Sequence, residues 1–380
     1  MSEYVFPSLE MLNYYNPENN FTNREYVKEM ANDLVSTLEA YKLKGTVTDI
    51  RMTPFAVLFD IIPDPGVTVK SIQSLRLELE VHMASPIEIV SVGEGKYTIG
   101  LAVKNWNRPL IGLRDIMETP EFKNNDYVIP VAAGMNVLGK PFVFDLAATP
   151  HLLIAGTTGS GKSTFLNTIV LSVMYTRTPE QVRFWMVDSK GVDLRAFNRI
   201  PHMLFPVVKK SEDALGILLQ AEDVMKMRYQ LFAEQGVKNI DGYNAVVPSE
   251  KAIPRIVIII DEYMEMMTSG EKELEIVIDS LSRQARAAGI HLVLATQRPT
   301  SKVITASIKA NIPCRAAFTV VDWRESKTIV DRTGAERLLG NGDMLFSLGD
   351  TAVPIHAQAA YVSYKEVDQA IEDVYKKNKK

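Results

Sequence analysis

The chain has 380 residues, of which 46% are hydrophobic and 23% are charged, and it carries a formal net charge of −4 at pH 7. This length accommodates two domains with large cores, and the balanced composition excludes disordered, collagen-like and disulfide-rich chains. Because the sequence has a single cysteine, no signal-like N-terminus and no apolar run of about 20 residues, we expect a cytoplasmic protein without membrane insertion, in which any nucleic-acid site is local.

The first third of the chain predicts a small α+β domain. Residues 1–35 form an N-terminal segment with the start of a helix, in which Leu34 and Leu38 recur at helical spacing. Residues 36–123 complete that helix and add two strands, another helix and a hairpin, without residue types that indicate site chemistry. An Asn-Asn-Asp turn then begins the second domain, which we place at residues 124–380.

A phosphate-binding loop is predicted near the start of the second domain. The apolar run Leu152–Ala155 is typical of a buried strand, and apolar residues at helical spacing follow it from Thr164. Between them stands Gly-x-x-x-x-Gly-Lys-Ser, whose glycines let backbone N–H groups point at phosphates beside the positive end of a helix. Lys162 would reach the β- and γ-phosphates, and Ser163 would offer its hydroxyl to Mg²⁺. The predicted ATP-binding residues are Gly156, Thr157, Thr158, Gly159, Ser160, Gly161, Lys162, Ser163 and Thr164. A glycine-rich turn that only joins strand to helix is the alternative.

Two carboxylates follow a second apolar strand and complete the predicted nucleotide site. Ile256–Ile260 is fully apolar and ends in Asp261 and Glu262. Asp261 suits the Mg²⁺ shell, and Glu262 suits a base that orients the attacking water. The alternative is that both acids are simply solvated. Another strand ends at Asp188 without a second carboxylate, so Asp188 and the nearby Lys190 are supporting candidates only.

The remaining chain alternates strands with helices, which predicts an α/β fold with a mostly parallel sheet covered on both faces. One strand ends in Thr296 and Gln297, where a polar side chain could respond to the γ-phosphate. Residues 283–332 hold nine Lys or Arg against three Asp or Glu. This stretch is either a solvated face or, in an ATP-driven machine, a track for phosphates or the source of an arginine finger.

Longer strings of residues resemble the FtsK/SpoIIIE family of DNA translocases. Beyond the two nucleotide motifs, the resemblance rests on residues 200–203 (Ile-Pro-His-Met), 284–299, 303–313 and 334–345. It extends more loosely over residues 40–118, which are similar to the family's small α-domain. The resemblance implies that this α+β domain precedes a RecA-like P-loop ATPase domain with a mostly parallel sheet and helices on both faces, and that six copies form a ring around duplex DNA.

The resemblance also implies roles for residues in the basic stretch. Arg315 matches the arginine finger that completes a neighbouring subunit's nucleotide site, with an ion pair inside its own subunit as the alternative. Lys327 matches a basic residue on a pore loop that touches DNA, and Arg324 lies beside it in sequence. Ser347–Thr351 matches a second pore loop, which is short here and has Asp350 as its one charged residue.

Together these features predict a Mg²⁺-ATP-dependent translocase that pumps double-stranded DNA through a homohexameric ring with little sequence specificity. The expected cofactors are ATP and Mg²⁺, and the expected catalytic residues are Lys162, Glu262, Gln297 and Arg315. Two departures from the family's pattern are expected, since its chromosome-segregation members begin with membrane helices and end with a winged helix, and we expect neither in this short form. The recruiting partner is therefore left open. Two alternatives are a coupling ATPase of type VII-like protein secretion and an ATP-gated scaffold that assembles on DNA without moving.

Overall fold

A computed structural model describes residues 4–15, 24–53, 56–92, 98–104, 109–268, 272–349 and 353–379. These residues divide into two compact units. The smaller unit comprises Tyr15–Ile111 and Met135–Pro141, and the larger comprises Met1–Tyr14, Gly112–Gly134 and Phe142–Lys380. No helix in the described ranges combines the length and the apolarity that a membrane span requires.

This division differs from the boundaries expected from the sequence. The first helix lies entirely in the smaller unit, whereas the sequence favoured a boundary after residue 35. The segment just before residue 124 belongs to the larger unit, because Leu113 and Ile116 are buried there. The Leu113 amide also donates to the Tyr361 carbonyl at 2.9 Å. The Asn-Asn-Asp turn is therefore not where the two units separate.

The smaller unit is an antiparallel sheet of four strands with one apolar face covered by helices. Its strands run in the order β1-β2-β4-β3. Leu34 and Leu38 of the first helix pack with Phe59 and Leu101 of the sheet in one buried cluster. The elements are α1 (Arg24–Ala40), β1 (Gly45–Met52), β2 (Ala56–Pro63), α2 (Val69–Ser74), α3 (Arg76–His82), β3 (Ile87–Val92) and β4 (Thr98–Lys104).

The sequence predicts one helix from Val69 to His82, but the structure has two. The chain leaves helical geometry at Leu75, where ψ is 2°, and α3 begins directly afterwards. The spacing of the apolar residues was nevertheless informative, since Ile72 and Leu79 are both buried.

The segment Gly112–Gly134 of the larger unit begins with two short helices, α4 (Leu113–Met117) and α5 (Pro120–Lys123). Its strands are β5 (Pro130–Asn136), β6 (Pro141–Asp145), β7 (His151–Ala155), β8 (Val182–Asp188), β9 (Arg255–Asp261), β10 (Ile290–Thr296), β11 (Cys314–Ala317), β12 (Asp343–Ser347) and β13 (Ile355–Ala359). The remaining helices are α6 (Lys162–Met174), α7 (Ser211–Glu234), α8 (Ile240–Val246), α9 (Tyr263–Thr268), α10 (Lys272–Gln284), α11 (Ala306–Asn311), α12 (Trp323–Val330) and α13 (Tyr364–Asn378).

These strands form one mixed sheet in the order β6-β5-β13-β12-β11-β7-β10-β9-β8. The five consecutive strands from β11 to β8 are parallel to one another, and β12 is antiparallel to β11 and to β13. Every residue of β7, β9 and β10 is buried, which explains why these strands read as continuous apolar runs. One face packs with α7 and α10 in a large core cluster. The predicted α/β P-loop fold is confirmed.

The topology places the two nucleotide motifs at one edge of the sheet, separated by a single strand. β10 lies between β7, which precedes the phosphate loop, and β9, which ends in Asp261. β8 lies at the end of the sheet, where the following segment folds back along it. The Val208 amide donates to the Met186 carbonyl at 3.0 Å, and the Asp188 amide donates to the Val208 carbonyl at 2.8 Å.

Candidate active site

The phosphate loop connects β7 to α6 and requires its glycines. Gly159 and Gly161 have positive φ values of 77° and 112°, which glycine adopts without strain. A Cβ on Gly161 would lie 2.6 Å from the Gly342 amide nitrogen, and one on Gly156 would lie 2.6 Å from the Phe318 Cβ. The loop is therefore closely surrounded by neighbouring segments of the larger unit, and side chains at these positions would push it out of place.

The first residue of α6, Lys162, is buried and forms an ion pair with Asp261 at the end of β9. The other carboxylate oxygen of Asp261, Oδ2, is buried and has no hydrogen-bond partner among the residues that the structure describes. An unpartnered buried oxygen is costly, so its presence here points to an additional partner. Ser163 follows Lys162 in the first turn of α6.

The residues present fit Mg²⁺. Ser163 and Asp261 supply a hydroxyl and a carboxylate, which are the hard oxygen donors that this ion takes together with phosphates and water. Within the described ranges, no group of three or more His, Cys, Asp or Glu residues could hold a metal by itself. In Mg²⁺–nucleotide sites the substrate phosphates and water provide the rest of the coordination.

Glu262 is held in a fixed position beside this pair. It follows β9 with a φ of 62°, a left-handed conformation that costs a non-glycine residue about 1 kcal/mol or more. Its Oε1 accepts hydrogen bonds from the Thr296 hydroxyl at 3.0 Å and the Gln297 amide at 3.1 Å. The Lys190 Nζ lies 3.6 Å from its Oε2. The carboxylate, at the end of β9, is thus buried among cationic and hydrogen-bond donors at the ends of β8 and β10.

Gln297 joins Glu262 to the phosphate loop. Its backbone amide contacts Glu262, and its side-chain Oε1 accepts a hydrogen bond from the Thr158 hydroxyl at 2.8 Å. A movement of Thr158 in the phosphate loop can therefore be passed to the Glu262 carboxylate through Gln297 alone. The structure brings together the residues that the sequence selected at three separate places: the phosphate loop, the end of β9 and the end of β10.

The loop after β8 also belongs to the site, and the sequence identified it only in part. Asp188 is fully buried, and its two oxygens accept hydrogen bonds from the amides of Gly191 at 2.8 Å and Leu194 at 3.0 Å. Asp188 therefore shapes the loop. Asp193 accepts a hydrogen bond from the Ser163 hydroxyl at 3.0 Å. Asp193 is not among the residues predicted from the sequence, although its place in the Asp-Ser-Lys-Gly-Val-Asp string after a strand was an available signal.

The predicted role of Arg315 is not supported by its surroundings. Its side chain is 10% exposed, and each of its three guanidinium nitrogens donates inside its own subunit. Nε donates to the Ile312 carbonyl at 2.9 Å, and Nη2 donates to the Lys309 carbonyl at 2.6 Å. Nη1 donates to the Ile329 carbonyl at 3.1 Å and to the Asp331 carboxylate at 2.6 Å. These contacts are those of the alternative, an ion pair within the chain, and the arginine-finger role of Arg315 stays a prediction.

Asp331 is the residue that this arrangement stabilises. It ends α12 with a φ of 61° and receives hydrogen bonds from both Arg315 and Lys309. Partial burial raises the pKa of Asp331, but these two cations outweigh it and hold that pKa below its ordinary value. The cluster fixes the C-terminal end of α12, so the position of this helix depends on Arg315.

The family resemblance implied that Lys327 lies on a pore loop. In the structure, Lys327 and Arg324 both lie on α12. Both cations lie over the ring of Trp323, with the Lys327 Nζ 4.9 Å and the Arg324 Cζ 5.0 Å from its centroid. Trp323 is 46% exposed. We call Trp323, Arg324 and Lys327 the basic–aromatic cluster. It borders an open depression of ≈ 520 Å³ that Arg337 also lines. Of the predicted second pore loop, residues 350–351 lie outside the described residues.

Comparisons with known proteins identify the family of the chain. The FtsK/SpoIIIE family model matches residues 112–301, and the FtsK alpha domain model matches residues 6–105. A DNA translocase FtsK from Haemophilus influenzae is 38% identical over 97% of this chain and 74% of its own length. One from Clostridium tetani is 40% identical over 97% of this chain but 50% of its own length. The DNA translocase SftA of Bacillus subtilis is 37% identical over 98% of this chain and 39% of its own length.

Solved structures show the same fold. The pCW3 conjugation coupling protein TcpA, solved with ATPγS, has a TM-score of 0.61 and 24% identity over 88% of this chain and 96% of its own. The type VII secretion ATPase EccC of Thermomonospora curvata has a TM-score of 0.57 and 22% identity over 65% of this chain and 31% of its own. The chain, whose phosphate loop and paired carboxylates stand at the strand tips described above, belongs to the FtsK/SpoIIIE family of P-loop ATPases.

Proposed function

We propose that this protein is a Mg²⁺-ATP-dependent translocase of double-stranded DNA that works as a hexameric ring and reads little sequence. The observation that carries the proposal is the match of 97% of the chain, at 38% identity, to a relative named as a DNA translocase. The assembled nucleotide site supports it, because a motor needs both a phosphate loop and a positioned carboxylate.

The residues of the nucleotide site divide the work of hydrolysis. Lys162 places positive charge on the β- and γ-phosphates, and the backbone amides of the phosphate loop cradle them. Ser163 and Asp261 would hold Mg²⁺, which neutralises charge that develops on the phosphate oxygens. Glu262 orients the attacking water and accepts its proton. Gln297 couples the phosphate loop to Glu262, because its side chain accepts a hydrogen bond from Thr158 and its backbone amide donates one to Glu262.

DNA contact is proposed for the basic–aromatic cluster on α12. The Arg324 and Lys327 cations lie over the exposed ring of Trp323, and Arg324 also lies 3.4 Å from the carboxylate of Asp322 in an exposed pair. A cation on an exposed aromatic face stays available to a phosphate, because the ion pair beside it is weak. Contacts of this kind follow the charge and shape of the duplex and carry little sequence information. The overall charge of −4 is no obstacle, since the cluster is local.

A shared active site requires an arginine from the neighbouring subunit, and Arg315 is committed elsewhere. Arg332 and Arg337 are the next candidates, since both follow α12 closely and have exposed side chains. The side chain of Arg337 is 51% exposed, with Glu336 at 3.8 Å as its ion-pair neighbour. An exposed pair of this kind is weak, so Arg337 is free to exchange Glu336 for a phosphate in an adjacent subunit.

The type VII-like secretion ATPase remains the second candidate, because its fold matches over 65% of the chain at 22% identity. That likeness concerns the fold alone, whereas the DNA translocases match nearly the whole chain at higher identity. Since ATP is an intracellular nucleotide, we place the activity in the cytoplasm, together with an unidentified recruiting partner.

The deciding experiment combines ATPase rates with displacement of a triplex-forming strand from linear duplex DNA. We expect duplex DNA to stimulate hydrolysis and the protein to displace the third strand only with Mg²⁺ and ATP. Glu262→Gln, which keeps the nucleotide cradle, is the matched control and should displace nothing. Stimulation by DNA without displacement would favour the stationary scaffold. Stimulation by a polypeptide but not by DNA would favour the secretion ATPase.

A further inference from the structure

The loop between β8 and the following 3₁₀ turn carries an acid that no part of the proposed chemistry has used. Asp193 Oδ2 accepts the hydrogen bond of the Ser163 hydroxyl at 3.0 Å. Its other oxygen, Oδ1, accepts one from the Tyr364 hydroxyl at 3.3 Å. Asp193 is half-buried, so water does not compete fully for either bond.

The position of Asp193 is set independently of Ser163. Asp188, five residues earlier, uses both of its oxygens on the amides of Gly191 and Leu194, which bracket Asp193 in the chain. Tyr364 holds the carboxylate from the other side. Burial, and after it the charge of Asp193, raises the pKa of Tyr364, so this hydroxyl keeps its proton and donates. The loop therefore presents Asp193 to α6 as a ready-made acceptor.

This arrangement has a consequence for the serine. A serine hydroxyl has one proton and two lone pairs, and without a fixed partner it rotates freely. When its proton is directed at Asp193, the lone pairs face away from that carboxylate and are available to a cation. Outer carboxylates and carbonyls orient metal ligands in this way, and their removal typically lowers metal affinity by about 10- to 100-fold.

We propose that Asp193 is a positioning residue for the Mg²⁺–nucleotide complex, acting by orienting the hydroxyl of Ser163. The inference rests on the proposed Mg²⁺-ATP site and is independent of DNA. It differs from a purely architectural role, in which the Asp193–Ser163 bond would only fasten the loop to α6. An architectural bond would affect nucleotide binding with and without Mg²⁺ equally.

The test measures binding of a fluorescent ADP analogue to the full chain in excess Mg²⁺ and in excess EDTA. For Asp193→Ala we expect about 10-fold or greater weakening in Mg²⁺ and little change in EDTA. Asp223→Ala, which removes a carboxylate that is 81% exposed on α7, is the matched control and should change neither. Equal weakening in both conditions, or a normal Mg²⁺ effect in a folded Asp193→Ala protein, would overturn the proposal.

A double-mutant cycle separates positioning from direct coordination. If Asp193 acts through the hydroxyl, Asp193→Ala should add little to the Mg²⁺ defect of Ser163→Ala. Additive defects would mean that Asp193 contacts the ion by itself and would reject the positioning role. The same titration of the unsubstituted protein separates two failures. If Mg²⁺ does not tighten binding there, the Mg²⁺-ATP proposal fails, whereas a normal Mg²⁺ effect that Asp193→Ala leaves intact rejects only the present inference.

Discussion

Arg315 and Asp331 form an ion pair, with 2.6 Å between Nη1 and Oδ2, that joins the start of β11 to the last turn of α12. The arginine is buried whereas the aspartate side chain is 60% exposed, so the cost of desolvation falls mainly on Arg315. Three backbone carbonyls offset that cost by accepting hydrogen bonds from the same guanidinium. This pair therefore has a structural role within one subunit.

The first prediction concerns this pair. Arg315→Ala should reduce the free energy of unfolding by about 2–3 kcal/mol, since it leaves buried carbonyls without donors. Thermal and urea denaturation would measure the loss. Mixing Arg315→Ala with Lys162→Ala should not restore ATPase activity beyond what the remaining folded protein explains. Strong recovery in the mixture would show that Arg315 acts on a neighbouring subunit after all.

A second prediction assigns the arginine supplied in trans to Arg337 or Arg332. Alanine at the correct position should leave nucleotide binding intact and lower the rate of hydrolysis by about 10³-fold or more. Mixed with Lys162→Ala, that variant should regain activity at interfaces that combine an intact phosphate loop with an intact arginine. Arg298→Ala provides a control from the same basic stretch. If neither mixture recovers although the subunits co-assemble, the shared active site is contradicted.

The nucleotide site gives a third prediction. Lys162→Ala should abolish turnover by removing charge from the phosphates and by leaving Asp261 without its ion-pair partner. Glu262→Gln should retain ATP and slow hydrolysis by about 10²–10⁴-fold, because only the base is lost. Binding and single-turnover assays distinguish the two effects. A Glu262→Gln protein that hydrolyses ATP at the original rate would exclude Glu262 as the catalytic acid–base.

The basic–aromatic cluster gives a fourth prediction. Lys327→Ala should weaken binding to unrelated duplex sequences to the same degree and reduce the slope of log K against log salt by about one unit. The control is Lys226→Ala. Lys226 lies on α7, its side chain is 60% exposed, and its loss should leave the slope unchanged. Binding by fluorescence anisotropy over a range of salt concentrations tests this. A loss confined to one DNA sequence would contradict backbone recognition.

A fifth prediction concerns pH. His151 in β7 and His291 in β10 are fully buried. Burial is the main reason that the pKa of each histidine is lowered to about 3. The charge of His291 lowers the pKa of His151 further, and the charge of Arg255 lowers the pKa of His291 further. Unfolded histidine titrates near about 6.5, so the unfolded state binds these protons first as the pH falls. The stabilising contribution is therefore complete above about pH 6.5 and is lost progressively between that value and about pH 3.

We expect the free energy of unfolding to fall by up to about 1.4 kcal/mol per pH unit for each histidine within this window. Urea denaturation at several pH values measures the slope. His291→Gln, which cannot bind the proton, should be less stable at neutral pH but should show a slope smaller by about one proton. A stability that stays constant between about pH 7 and about pH 5 would contradict this explanation.

The parts of the site that could be predicted from the sequence are those in which a short motif determines its own geometry. Gly156–Ser163 and the Asp261–Glu262 pair follow fully buried strands, and the carboxyl ends of parallel strands meet at one edge of a sheet. Their proximity follows from strand order alone. The mostly parallel sheet and its helical layers could also be predicted, because buried apolar runs alternate along the chain with segments of helical periodicity.

Other features depend on contacts that sequence spacing does not reveal. The role of Arg315 is determined by Asp331, which lies 16 residues later and comes into reach only because α12 ends beside β11. Asp193 lies in a loop whose shape depends on the buried Asp188, and no periodicity describes that shape. The split of the predicted helix at Leu75 is equally invisible, because the apolar spacing continues across the break.

The segment that folds back along β8 covers the free edge of the sheet. β8 is the outermost strand on that side, and its sequence, Val-Arg-Phe-Trp-Met-Val-Asp, would readily pair with another copy if its free edge were open. The His202 carbonyl accepts a hydrogen bond from the Phe184 amide at 2.9 Å, and Val208 forms backbone hydrogen bonds with Met186 and Asp188. Loss of this cover would open an edge for self-association while leaving the residues of the nucleotide site intact. The Ile-Pro-His-Met string of the family resemblance is part of that cover.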